Sequence, residues 1–166
     1  MILVTVGASQ IPFDRLLRAM DDFAIGEQVI VQHGASSVRP AGASCVPFIP
    51  LARLSELVRE AQAVVTHAGV GTILLALTNG KRPYVVPRRQ MFGEAVDDHQ
   101  LECGRRFARA GVVTLVEDPT GLAAAIQTRA HDEQVFTRPS EPVQLVHELR
   151  TYFDAVVPTD ARPARQ

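Results

Sequence analysis

Short apolar runs, each stopped by glycine, proline or a cluster of small residues, recur along this chain with helically spaced stretches between them. Ile2-Leu3-Val4-Thr5-Val6 stops at Gly7, Ala63-Val64-Val65-Thr66 runs into His67-Ala68-Gly69, and Tyr84-Val85-Val86 is cut by Pro87. These runs show little alternation of apolar and polar residues, so both faces of such strands must be covered. The covering residues sit in between: Phe13, Leu16, Leu17, Met20 and Phe23 over residues 13–23, with Asp14 in the first turn, and Leu51, Leu54, Leu57 and Val58 over 51–60. Further strands are predicted at 27–31, 45–49 and 112–116. Further helices are predicted at 73–78, through Leu101, Phe107 and Ala108, and from Pro119 to Arg129. Asn79-Gly80 closes the helix before it, and Pro83 forbids its continuation. This alternation over residues 1–130 predicts an α/β fold with a doubly wound, mostly parallel sheet. Residues 131–156 read as a linker and an amphipathic helix around 143–153, and 157–166 as a frayed tail.

Composition narrows the function classes. The chain has 166 residues, 46% hydrophobic and 21% charged, enough for one packed domain. A net charge of −1 provides no field to attract a polyanion, so nucleic acid is not an expected partner. Cys45 and Cys103 fit neither a paired zinc motif nor a disulfide scaffold; they read as packing residues in a reducing compartment. No run of roughly 18 apolar residues occurs, and the first ten residues lack the basic start of a signal peptide. A cytoplasmic domain is expected, with no metal or cofactor.

Ligands of doubly wound sheets gather where strands end and loops enter helices. Two loops have the small residues that let a ligand approach the backbone: Gly7-Ala8-Ser9, and His67-Ala68-Gly69-Val70-Gly71-Thr72. Exposed N–H groups of the helix that follows favour an anion such as a diphosphate. A glycine-rich turn also serves tight packing alone. The G-x-G-x-x-G pattern is absent, since Leu74 stands at its last position, and Gly80-Lys81 lacks both the earlier glycine and the Ser/Thr of a P-loop. A third segment, 87–100, gathers Glu94, Asp97, Asp98, His99 and Gln100. These groups suit the vicinal hydroxyls of a ribose or hexose; alternatively, Asp97 or Asp98 merely caps the next helix.

Three motifs in order carry a resemblance: V-T-V-G near the start, H-A-G-V-G-T after a central strand, and G-K-R-P-Y-V-V-P-R followed by G-E-A-V-D-D-H-Q. Together they resemble the donor-binding C-terminal half of GT-B glycosyltransferases of the family 28 type. The nearest likeness is to stand-alone catalytic subunits of two-part UDP-sugar transferases, those acting on dolichol-linked GlcNAc and their counterparts in bacterial exopolysaccharide biosynthesis. The resemblance covers about residues 1–130. It implies that Gly7, Ala8 and Ser9 face the cleft between halves, and that His67, Ala68, Gly69, Val70, Gly71 and Thr72 receive the donor diphosphate. It also implies that Glu94, Asp98, His99 and Gln100 lie near the ribose and sugar, His99 and Gln100 being nearest the sugar. The family's ribose-gripping Glu is replaced by Leu75, which leaves Glu94 as the expected substitute.

An inverting transfer of a hexose, for instance from UDP-GlcNAc, is therefore expected. His67 is a candidate base because imidazole accepts a proton near neutral pH, although bases of such enzymes generally lie on the acceptor half. That half is expected on a membrane-anchored partner subunit that binds a lipid-linked saccharide acceptor, making the chain a peripherally membrane-associated heterodimer member. Ile11-Pro12-Phe13 and the 143–153 segment are candidate partner contacts. Two other classes remain at this stage: a non-catalytic UDP-sugar-binding or stabilising subunit, and a relative of UDP-GlcNAc 2-epimerases, which need both lobes in one chain.

Overall fold

A computed structural model of the chain describes residues 1–21 and 27–131, with side chains through residue 128. Six strands, β1 (Ile2–Thr5), β2 (Val29–Gln32), β3 (Ser44–Val46), β4 (Ala63–His67), β5 (Tyr84–Val86) and β6 (Thr114–Leu115), form one sheet in the order β3-β2-β1-β4-β5-β6. Every pairing is parallel. The helices are α1 (Asp14–Arg18), α2 (Leu51–Glu60), α3 (Val70–Thr78), α4 (His99–Arg109) and α5 (Leu122–His131). The doubly wound α/β sheet predicted from the strand–helix alternation is the observed fold.

Apolar strands on both faces explain the two cores. In β1, Ile2 and Val4 point to one side with Val6, where Phe13, Leu16 and Leu17 of the α1 region and Leu122 of α5 cover them. Leu3 points to the other side, under Leu54, Leu57 and Val58 of α2 and Ala76 of α3. Burying each large apolar side chain contributes about 1.5–3 kcal/mol, so an exposed face on either side would leave the central strand unsupported.

Strand order reverses between β1 and β4. Their exit loops, beginning at Val6 and Ala68, run to opposite sides there, which is where sheets of this topology form a ligand crevice at their carboxyl edge. β5 lies next to β4 in the same direction, so the 87–98 loop leaves the same edge. Three loops picked out by their residue types thus begin on adjacent strands. Some boundaries differ from expectation. β3 ends at Val46 because Pro47 has no N–H for the ladder, and β6 contracts to two residues. The predicted 143–153 helix and the 157–166 tail lie outside the described residues.

Candidate functional site

Gly7, second in the β1 exit loop, has φ +76, a conformation that favours glycine. The absence of a side chain has a second use. A Cβ at Gly7 would come within 2.5 Å of His67 Cε1, and a Cβ at Gly69 would overlap His67 Nε2. The His67 imidazole thus fills the space left by two glycines on the loops of β1 and β4. Its ring hydrogen-bonds the Thr5 backbone, and Nδ1 lies 3.3 Å from Thr66 Oγ1. Burial, reinforced by the nearby Arg88 guanidinium, pushes its pKa down to about 4. His67 is therefore neutral at physiological pH.

α3 starts immediately after it. Gly69 is the N-cap residue, and its carbonyl accepts from Thr72 and Ile73 N–H at 3.1 Å each. No side chain caps this terminus, and the N–H groups of Val70 and Gly71 make no protein hydrogen bond among the described residues. Gly71 is exposed, and a Cβ built on it meets nothing within 4 Å. Two donors without a partner among the described residues therefore stand at the positive end of a nine-residue helix, beside the open space at Gly71. Ala68 is buried, so its side chain offers nothing to a ligand. On the β1 loop Ala8 is exposed, while Ser9 Oγ accepts from Ile11 N–H at 3.1 Å and shapes the turn.

The β5 exit loop is organised by arginines that sequence reasoning did not single out. Arg88, 2% exposed, reaches under the β1 loop and donates from Nη2 to the Val6 carbonyl (3.0 Å). Its Nη1 donates to the carbonyls of Ile11 (2.8 Å), Pro12 (3.2 Å) and Glu94 (3.1 Å). Its backbone N–H donates to Gln100 Oε1 at 3.2 Å. Arg15 of α1 grips Glu94 with Nε and Nη2, both at 2.9 Å, and Glu94 also accepts from the Arg89 N–H at 3.0 Å.

These contacts change what the 87–100 segment offers. The Glu94 carboxylate, expected to hold a ribose, is buried and already bound by Arg15 and the Arg89 N–H, so it is not free to grip a ligand. Asp98 Oδ1 accepts from Gln90 N–H and lies 3.5 Å from Arg89 Nε. Asp97, rather than Asp98, accepts the His99 N–H at the start of α4, and it also bonds the His99 ring. His99 is exposed, and its hydrogen bonds from backbone N–H and ring both run to Asp97. Gln100 is half-buried; with Oε1 committed to Arg88, its Nε2 is the edge left for a ligand. Phe13, expected at a partner surface, is fully buried beneath the Arg88 guanidinium, 4.8 Å from its ring centroid. It packs the core and cannot serve as a partner contact.

Every exposed large apolar side chain among the described residues lies in one of two segments: Val46, Phe48 and Leu51 from the end of β3 to the start of α2, and Met91, Phe92 and Val96 after β5. Both lie at the carboxyl ends of strands and flank the β2-β1-β4 centre of the sheet.

The family model described as glycosyltransferase family 28 C-terminal domain matches residues 1–149. No curated protein matches the sequence. Among solved structures, the chain is similar to the glycotransferase of kitacinnamycin, with 22% identity and TM-score 0.64 over 91% of this chain and 39% of that one. It is similar to CalG4, the calicheamicin glycosyltransferase, at 19% identity and TM-score 0.61, over 95% of this chain and 44% of that one. MurG of Acinetobacter baumannii gives 21% identity and TM-score 0.56, over 91% and 49%. The chain thus spans less than half the length of each of these structures.

Proposed function

Because the chain belongs to the glycosyltransferase family 28 C-terminal domain family, we propose that it is the donor-binding half of a two-component inverting glycosyltransferase. It moves a hexose from a UDP-sugar to a polyprenyl-linked saccharide. The observation that carries this function is the uncapped start of α3, whose Val70 and Gly71 N–H groups face the crevice beside a neutral His67. Donors fixed in place before reaction stabilise the charge that grows on a departing diphosphate without reorganising. His67 contributes as a neutral hydrogen-bonding group, since a ring with pKa near 4 is a weak base at neutral pH. The group that takes the acceptor's proton is therefore assigned to the other half.

On this reading Gly7, packed against His67, and the exposed Ala8 belong to the donor site, and Gln100 Nε2 is available to an acceptor oxygen of the sugar. Asp98 ends the 87–98 loop and His99 begins α4, and Glu94 acts through Arg15 rather than on the ligand. The apolar segments around Phe48 and Phe92 supply surface for the acceptor half on a membrane-anchored partner. Within the described residues no helix is long and apolar enough to cross a membrane.

Turnover by the chain co-expressed with an acceptor-binding partner tests the assignment. UDP release that requires both the UDP-sugar and a lipid-linked saccharide supports a transferase. Tight UDP-sugar binding with no turnover in the complete pair would instead identify a non-catalytic binding subunit.

A further inference from the structure

Arg88 combines features that ordinary packing does not require. It is a cation buried to 2% exposure, yet among the described residues its guanidinium hydrogen-bonds no carboxylate. Its fork end instead binds four backbone carbonyls, three in the β1 exit loop (Val6, Ile11, Pro12) and one in the 87–98 loop (Glu94), and it stacks on Phe13. Nε has no partner among the described residues. An apolar side chain would fill the same volume at lower desolvation cost. What it could not do is hold two loops of the crevice in fixed register, since a planar fork satisfies several carbonyls at once.

The same residue sets the Gln100 carboxamide. A backbone N–H can be received only by the amide oxygen, so the bond from Arg88 N to Gln100 Oε1 fixes which edge of the amide points outward. The outward edge is the NH2 donor, suited to a hydroxyl or ring oxygen of a sugar. Without the guanidinium bonds, the Arg88 backbone and the β1 loop lose their common anchor.

We infer that Arg88 is a positioning residue for the sugar end of the donor site, holding the Gly7–Pro12 loop and the Gln100 amide in register. The inference rests on the donor-binding function proposed above.

The experiment titrates the wild-type chain with UDP and with UDP-GlcNAc, UDP-glucose, UDP-galactose and UDP-glucuronate, taking the tightest sugar nucleotide forward. Arg88→Lys retains the charge without the fork, and Arg88→Met retains the bulk without the donors. Leu54→Ala, in the core on the α2 side, is the control for lost stability alone. The expected result is that folded Arg88→Lys keeps UDP affinity within about threefold while its preference for the UDP-sugar over UDP drops about tenfold. Leu54→Ala keeps that preference. If Arg88→Met does not fold, Arg88→Lys decides. An unchanged preference in folded Arg88→Lys overturns the inference and spares the donor function. A wild-type chain that binds UDP but prefers no sugar nucleotide also overturns the inference alone. A wild-type chain that binds none of these at about 1 mM overturns the donor function and the inference with it.

Discussion

His67 Nε2 occupies the place that a side chain on Gly69 would need. The glycine is therefore required by an imidazole of the same loop before any ligand arrives. Gly69→Val should expel the ring and cost about 1–3 kcal/mol of stability, so a loss of ligand binding in that variant is ambiguous. Gly71 is the cleaner probe, because a Cβ there meets no protein atom. Gly71→Val should unfold at or above the wild-type temperature while UDP affinity falls about tenfold or more, as bulk enters the path of the phosphate. Thermal unfolding paired with calorimetry checks both halves. Unchanged UDP affinity in Gly71→Val would place the diphosphate elsewhere.

The depressed pKa of His67 has a consequence for stability. The unfolded imidazole takes up its proton near 6.5 and the folded one only near 4. The folded state thus binds fewer protons within that window, and stability falls as pH drops through it, by about 3 kcal/mol once both states are protonated. Above 6.5 the contribution is fully present. Denaturant unfolding of wild type and His67→Gln at pH 7.5 and pH 4.5 measures it. The wild type should lose more than the variant. A ring that titrates near 6.5 by proton NMR in the folded chain would refute the neutral assignment.

Arg15 and Glu94 form a two-bond ion pair whose carboxylate is 6% exposed. Removing one member strands the other. Glu94→Ala should therefore cost about 3 kcal/mol in denaturant unfolding, with Arg15 and the Arg89 N–H both left short of a partner. A carboxylate that served the ribose directly would give the opposite result: little change in stability and a large loss of UDP affinity.

Leu51 and Val96, 70% and 77% exposed, represent the two apolar segments beside the crevice. Changing both to Ser should leave stability within about 0.5 kcal/mol per site and UDP binding intact. Association with the acceptor-binding half should weaken about tenfold, read by analytical ultracentrifugation of the co-expressed pair. Association at wild-type strength would show that these segments face solvent in the complex.

Much of the fold is legible because the strand signal is unusually plain. Runs such as Ile2–Val6 and Ala63–Thr66 are apolar on both faces, and a parallel sheet between helices is the arrangement that hides both. The glycines at 7, 69 and 71 are likewise visible from sequence as places of close backbone approach. What they approach is not: nothing in H-A-G-V-G-T says that the histidine folds back between Gly7 and Gly69. The arginines are harder still. Arg88 bonds carbonyls 76, 77 and 82 positions away, and main-chain acceptors leave no trace in side-chain identity. Glu94 looks like a free ligand group only because its partner, Arg15, lies 79 residues earlier. Phe13 follows a loop and so resembles a surface contact, yet it is the floor beneath Arg88.

The central claim is that the α3 N-terminus receives a diphosphate, and amide chemical shifts during a UDP titration test it most directly. The account predicts that the largest shifts fall on the Val70 and Gly71 N–H groups, the two donors at that terminus without a partner among the described residues, and that Gly71→Val abolishes them. Saturable UDP binding that leaves those two amides unmoved would contradict it.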